Sequence, residues 1–190
     1  MTATALGTSR PNGWWGMALL VATEATLFGT LVGTWLYLSF ENEHWPPRPL
    51  PDPPILTPAL LTAALLTTSV FMHLAHRAAR GGLRSRAWLL VAAAFAVQSF
   101  YLVWQLHDYL LTLHMFPPRE SAFGSTYVTL LGLTHAHVLV GLLLYAWLLL
   151  RLATGLTRYR LVALQSTTFY THAVNAIAVV VLLVTVLPSL

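Results

Sequence analysis

Three residues in this chain have types and positions that could do chemistry: Glu24, His137 and His172. Each lies near the middle of a long apolar run. An ionisable group there is costly, at roughly 2.5–3.5 kcal/mol or more, so each needs a reason to be present. An acid and two imidazoles on three helices could hold and pass a proton, bind water or a lipid headgroup, or tie helices together as a buried hydrogen-bond knot. Asn175 follows His172 at a helical spacing of three and extends the polar set on that run.

Other chemistries fit less well. There is no Cys, which excludes disulfides, iron–sulfur clusters, thiolate copper and Cys-attached haem. No H-E-x-x-H is present, and the two rings of His135-x-His137 diverge on a helix, so neither supplies a metal site. A two-haem cytochrome needs repeated His pairs at matched depth, and only His137 and His172 share mid-membrane depth. No Gly-rich phosphate loop, nucleophile motif or paired carboxylate occurs. The chain alone does not read as an enzyme, and no metal ligand set is assigned.

The elements that must position these residues follow from composition. Of 190 residues, 57% are hydrophobic and 8% charged, against ~25% charged in a soluble domain. Five apolar runs are each long enough to cross a bilayer, for which about 20 residues suffice. They predict helices over 14–40, 55–76, 87–111, 125–150 and 161–187. The fold class is therefore an all-α polytopic membrane bundle, as one domain over 1–190. The first run is too long for a signal peptide and lacks an A-x-A site, so it reads as a retained helix.

Eight of the ten Arg fall in the N-terminal tail, the 77–86 segment and the 151–160 segment; Arg48 and Arg119 lie in the other two loops. That bias predicts a cytoplasmic N-terminus and an external C-terminus. The formal charge of +4 thus reports orientation rather than nucleic-acid binding. Glu41, Glu43, Asp52 and Glu120 then lie outside, in Pro-rich loops.

Within the first run, helical spacing makes two faces. Ala22, Thr26, Gly29 and Gly33 form a small-residue stripe suited to close helix packing. Glu24 shares the opposite face with Met17, Leu20, Phe28, Leu31 and Trp35, and Met17, Leu20, Phe28 and Leu31 offer it no hydrogen bond. Its partner must come from another helix, and His137 and His172 are the candidates at that depth. Further polar stripes are Gln98–Tyr101–Gln105–Asp108, Thr134–His137–Gly141–Tyr145 and Gln165–Thr168–His172–Asn175. Such faces turn inward in lipid and more often serve as interhelical glue than as active sites.

Five segments, in order, resemble subunit III of haem–copper oxidases, the cytochrome c oxidase subunit 3 family. WGMALLVATEATLF resembles the family helix with an intramembrane acid, here Glu24. LTTSVFMHLAHRAARGG resembles the segment ending W-A-H-H before a basic loop, and QLHDY resembles Q-x-x-E-Y. FGSTYVTLLGLTHAHVLVG resembles Y-G-S-T-F followed by G-F-H-G-x-H-V-x-x-G, with His137 at the second His. FYTHAVNAIAVVVL resembles W-Y-W-H-F-V-D, with His172 at the His. The chain departs from the pattern at Thr134, Thr171 and Asn175, where the family has His, Trp and Asp. The family's two extra N-terminal helices are absent, as in its short five-helix form.

The resemblance implies a non-redox subunit III of a respiratory terminal oxidase. It implies no cofactor bound by this chain, with haem and copper in a partner catalytic subunit and structural phospholipid beside the bundle. It implies oxidase subunits I and II as partners, a role in stabilising subunit I and supporting proton uptake, and a bacterial plasma-membrane location. The alternative within reach is a related accessory protein of nitric oxide reductase. Different classes are a haem-carrying quinol protein, which a Soret band would reveal, and a small transporter, which a Gly/Pro-broken span would favour.

Overall fold

A computed structural model describes residues 11–51 and 53–186. Arg10 and the preceding tail, Asp52, and the end of the fifth run at Leu187 lie outside the described residues. Among the described residues there are five helices: α1 (Asn12–Glu41), α2 (Leu56–Arg80), α3 (Arg84–Met115), α4 (Ala122–Ala153) and α5 (Arg158–Val186). All five are long and apolar enough to cross a membrane, and no strand occurs among the described residues.

The helices outrun most of the apolar runs that predict them. At 25–32 residues and ~1.5 Å per residue they exceed the ~30 Å hydrocarbon layer. The extra turns carry the arginines. Arg77 and Arg80 occupy the last turn of α2, where a cation complements the helix dipole. That helix stops in a Schellman turn: the Leu83 N–H donates to the Ala78 carbonyl at 2.9 Å and the Gly82 N–H to Ala79 at 3.0 Å. Gly82 takes a left-handed φ of 76°, which glycine adopts without steric cost. Arg84 then reaches across to the end of α4, where its guanidinium donates to the Leu152 and Ala153 carbonyls. At the end of α4 the Leu152 carbonyl otherwise accepts only in the closing turn, from the Gly155 N–H at 3.3 Å, so Arg84 adds a side-chain cap there.

At the opposite end, Ser121 caps α4 by accepting the Gly124 N–H at 2.9 Å. The 116–121 loop lies so close that a Cβ on Gly124 would stand 2.7 Å from the Pro117 carbonyl oxygen. Trp45, from the Pro-rich loop after α1, is buried against Trp35 and Phe123. This aromatic cluster, with Phe116 and Tyr127, closes the proline-rich end.

Helices α2, α3, α4 and α5 pack in a closed ring in which each touches the next, and α1 lies outside it against α4 and α5. The burial pattern follows. In α5, which touches three neighbours, twelve residues are buried; in α1, only Phe28 and Trp35 are. Lipid tails compete with helices for apolar contact, so burial alone does not hold α1 in place.

Ring contacts bring the 77–86 and 151–160 segments to one end of the bundle, the arginine-rich end. Reporter fusions at Gly82 and Gly155 are expected on one side of the membrane, and fusions at Pro51 and Pro118 on the other. The Arg bias makes the first side cytoplasmic. Finding Gly82 and Gly155 on opposite sides would contradict two crossings between them.

Candidate functional site

Helix α1 presents Glu24 to the bundle on the same face as its two buried residues, Phe28 and Trp35. Helix α4 presents His137 toward it, and Glu24 Oε2 lies 2.8 Å from His137 Nε2. The pair is shielded without being sealed: the side chains are 23% and 14% exposed, respectively. The Phe28 ring meets the imidazole edge to face at 5.2 Å.

The proton arrangement follows from geometry. His137 Nδ1 lies 2.7 Å from the Leu133 carbonyl oxygen, one turn back. A carbonyl only accepts, so Nδ1 carries a hydrogen. Nε2 then shares a single proton with Glu24: either the imidazolium donates to the carboxylate, or the carboxylic acid donates to the neutral ring. The pair is net neutral in both forms, which avoids the cost of an isolated charge in the bilayer. Both ring nitrogens of His137 are engaged, so neither is free to bind a haem iron or another metal. Among the described residues no group of three His, Asp or Glu could hold a metal ion.

The peptide that carries His137 is held from two sides. Tyr170 of α5 donates its hydroxyl to the His137 carbonyl at 3.0 Å. Gln98 of α3 donates Nε2 to the adjacent Val138 carbonyl at 2.6 Å. Gly141, one turn on, makes that approach possible: a Cβ there would lie 2.7 Å from Gln98 Nε2. Sequence spacing put Gln98 and Gly141 on polar stripes without revealing that one fits against the other.

The other expected members of the cluster lie elsewhere. His172 is exposed on α5, with its ring 6.4 Å from that of His73 on α2. Helix rotation accounts for this: α5 buries the neighbours Thr171 and Asn175 and turns His172 out. Asn175 serves the α2–α5 seam, donating Nδ2 within reach of Ser69 Oγ (2.7 Å), Thr68 Oγ1 (3.1 Å) and the Leu65 carbonyl (3.2 Å). Thr171 gives its own hydrogen to the Thr167 carbonyl and so accepts the Tyr145 hydroxyl at 2.8 Å. Thr134 bonds back to Leu130 within α4. The three positions that depart from the family pattern are thus occupied by groups that pair locally or across one seam.

The small-residue stripe of α1 is not used inside this chain. Ala22, Thr26, Gly29 and Gly33 are exposed, and a Cβ on Gly29 or Gly33 would meet nothing beyond its own helix within 4 Å. The bulky face packs instead, because Phe28 and Trp35 interlock with the rings of α4. Gly29 borders an apolar groove of about 260 Å³ between α1 and α5. Trp35 also bridges to α5, donating Nε1 to the Val184 carbonyl at 3.0 Å. That tie was not apparent from sequence, where Trp35 reads as an apolar packing residue.

The architecture defines a five-span helical membrane protein with a mid-membrane acid–imidazole pair. The profile of the cytochrome c oxidase subunit III family matches residues 10–187, nearly the whole chain. The chain belongs to that family, whose members are subunits of a multi-subunit oxidase.

Substitutions at Glu24 and Gly141 test the site. Glu24→Gln keeps a donor for His137 Nε2 and is expected to unfold thermally close to wild type. Glu24→Leu leaves the imidazole unpaired and should cost about 1–3 kcal/mol. Gly141→Ala drives a methyl into Gln98 and should cost about 1–3 kcal/mol by overpacking. Shortening the partner, as Gln98→Ala in the Gly141→Ala background, should recover part of that loss. Equal melting of Glu24→Gln and Glu24→Leu would remove the pairing from the account.

Proposed function

We propose that this chain is the non-redox subunit III of a respiratory haem–copper terminal oxidase in a bacterial plasma membrane. It stabilises the catalytic subunit I, alongside subunit II, and supports proton uptake during oxygen reduction. Haem and copper belong to the catalytic partner, and phospholipid packs beside the helices. The observation that carries this reading is family membership across residues 10–187.

The geometry supports a supporting role rather than electron transfer. His137 spends both ring nitrogens on Glu24 and Leu133. His172 sits apart from them on another seam. What the pair does is hold α1 on the α4–α5 face at mid-depth, where packing alone is weak. With α1 held, its small-residue face and the groove beside Gly29 remain available to lipid or a partner helix. The single shared proton also makes Glu24–His137 a place where a proton can be held within the bilayer without net charge.

Two measurements test this. The purified chain is expected to show no haem absorbance and to co-purify with a larger haem-bearing subunit. Stoichiometric haem on the isolated chain would contradict the reading. In complexes carrying Glu24→Gln or Glu24→Leu, the initial rate of oxygen consumption should match wild type, because this subunit passes no electrons. In Glu24→Leu, activity over many turnovers should decay sooner, or subunit content should fall. If Glu24→Gln abolished the first turnovers with the subunit still bound, Glu24 would lie on the main proton path instead.

A further inference from the structure

A second polar site lies on the other face of α4. His135 is two residues from His137, and that spacing turns its ring about 200° away. The imidazole packs between the rings of Tyr101 and Tyr109 on α3, at 6.5 and 5.4 Å. It is His135, not His137, that lines a partly open chamber of about 30 Å³ walled by α2, α3, α4 and α5 and by Pro53 and Pro54. Its Nδ1 is buried and has no hydrogen-bond partner in the protein.

The chamber wall is mixed: Leu131, Ala178, Val181 and Leu182 supply apolar surface, and polar side chains sit among them. Thr62, Gln105, Asp108 and Tyr127 also line it. Among the described residues the only hydrogen bond made by this group of side chains is a long one: Gln105 Nε2 donates to the Tyr101 hydroxyl at 3.3 Å. The Gln105 carbonyl oxygen, the Thr62 and Tyr127 hydroxyls and the Asp108 carboxylate therefore remain free to bond among the described residues. Apolar cavities stay dry, whereas a polar cavity of this size with two to four partners holds water. Each lining group can serve: a hydroxyl donates or accepts, the amide oxygen and carboxylate accept, and Nδ1 does either according to its tautomer.

We infer that this chamber is a hydrated site, in which one or two ordered waters bond His135 Nδ1 and link it to the polar groups of α2 and α3. The site takes water as its ligand and is independent of the Glu24–His137 pair. It rests on the cavity and its unpaired groups, so it stands or falls separately from the oxidase assignment. Asp108, partly exposed, carries the polar lining toward the proline-rich end of the bundle.

The test is a cryo-electron microscopy map of the intact complex at a resolution that shows water. Density is expected in the chamber at about 2.7–3.2 Å from His135 Nδ1. An empty chamber, or a ring turned so that Nδ1 bonds the protein directly, would overturn the inference. A solution-independent check is water-edited solid-state NMR of the ¹⁵N-histidine-labelled protein in bilayers. His135 Nδ1 should gain signal from water early, and His137 Nδ1, bonded to the Leu133 carbonyl, should gain it late. Equal build-up at the two would contradict a water held on His135. In a folded His135→Phe variant the density nearest the ring should vanish; its persistence unchanged would show that His135 does not anchor it.

Discussion

The contact between Glu24 and His137 is the constraint on which the placement of α1 depends. Helix α1 buries two side chains where α5 buries twelve, and lipid solvates its apolar surface as well as protein does. Directed contacts that help set its height and rotation include the 2.8 Å Glu24–His137 pair, the Trp35–Val184 hydrogen bond and the Trp45 lid over Trp35. The pair is the mid-membrane member, and the other two lie toward the proline-rich end. Without it α1 would keep the Trp35 and Trp45 contacts at the proline-rich end and the Trp14–Phe169 ring contact at the other, but would lose its ionisable tie at mid-depth.

The same economy runs through the ring of four helices. Gln98 joins α3 to α4, Tyr170 and Tyr145 join α4 to α5, and Asn175 joins α5 to α2. Three of these ties end wholly or partly on backbone carbonyls, which a helix offers at every turn. Side-chain reach and the absence of a Cβ decide which carbonyl is used, as Gly141 does for Gln98. Arg84 does the same at the arginine-rich end, capping α4 from α3. The bundle is thus specified by a few polar contacts set in an apolar background, and the pair on α1 is the one that involves two ionisable groups.

Much of the fold was legible because a membrane span is a long, simple signal. The five runs predict the five helices, and at the arginine-rich end the departures come from arginines that continue a helix into the interface, as at Arg77 and Arg80. Glu24 stood out by its cost, and the lack of polar neighbours on its own face required a partner on another helix. Which partner was not legible. His137 and His172 share depth, and only the rotation of α5, set by Asn175 and Thr171 facing inward, separates them. The small-residue stripe of α1 signalled close packing, yet bulky rings made the contact. Stripe chemistry says what a face can do, while the neighbouring helix decides which face is used. His135 was legible only as a ring diverging from His137; its chamber is built from four helices and has no local signature.

Membership of the subunit III family gives this arrangement its context, that of a helical subunit of a multi-subunit oxidase. The claim at the centre is that Glu24 and His137 hold α1 by satisfying each other. A double-mutant cycle measures this directly, with thermal unfolding of Glu24→Leu, His137→Leu and the double variant. Each single change strands a polar partner, so the double variant should lose less stability than the two singles combined, with a coupling of about 0.5–3 kcal/mol. Strict additivity of the two losses would contradict the account.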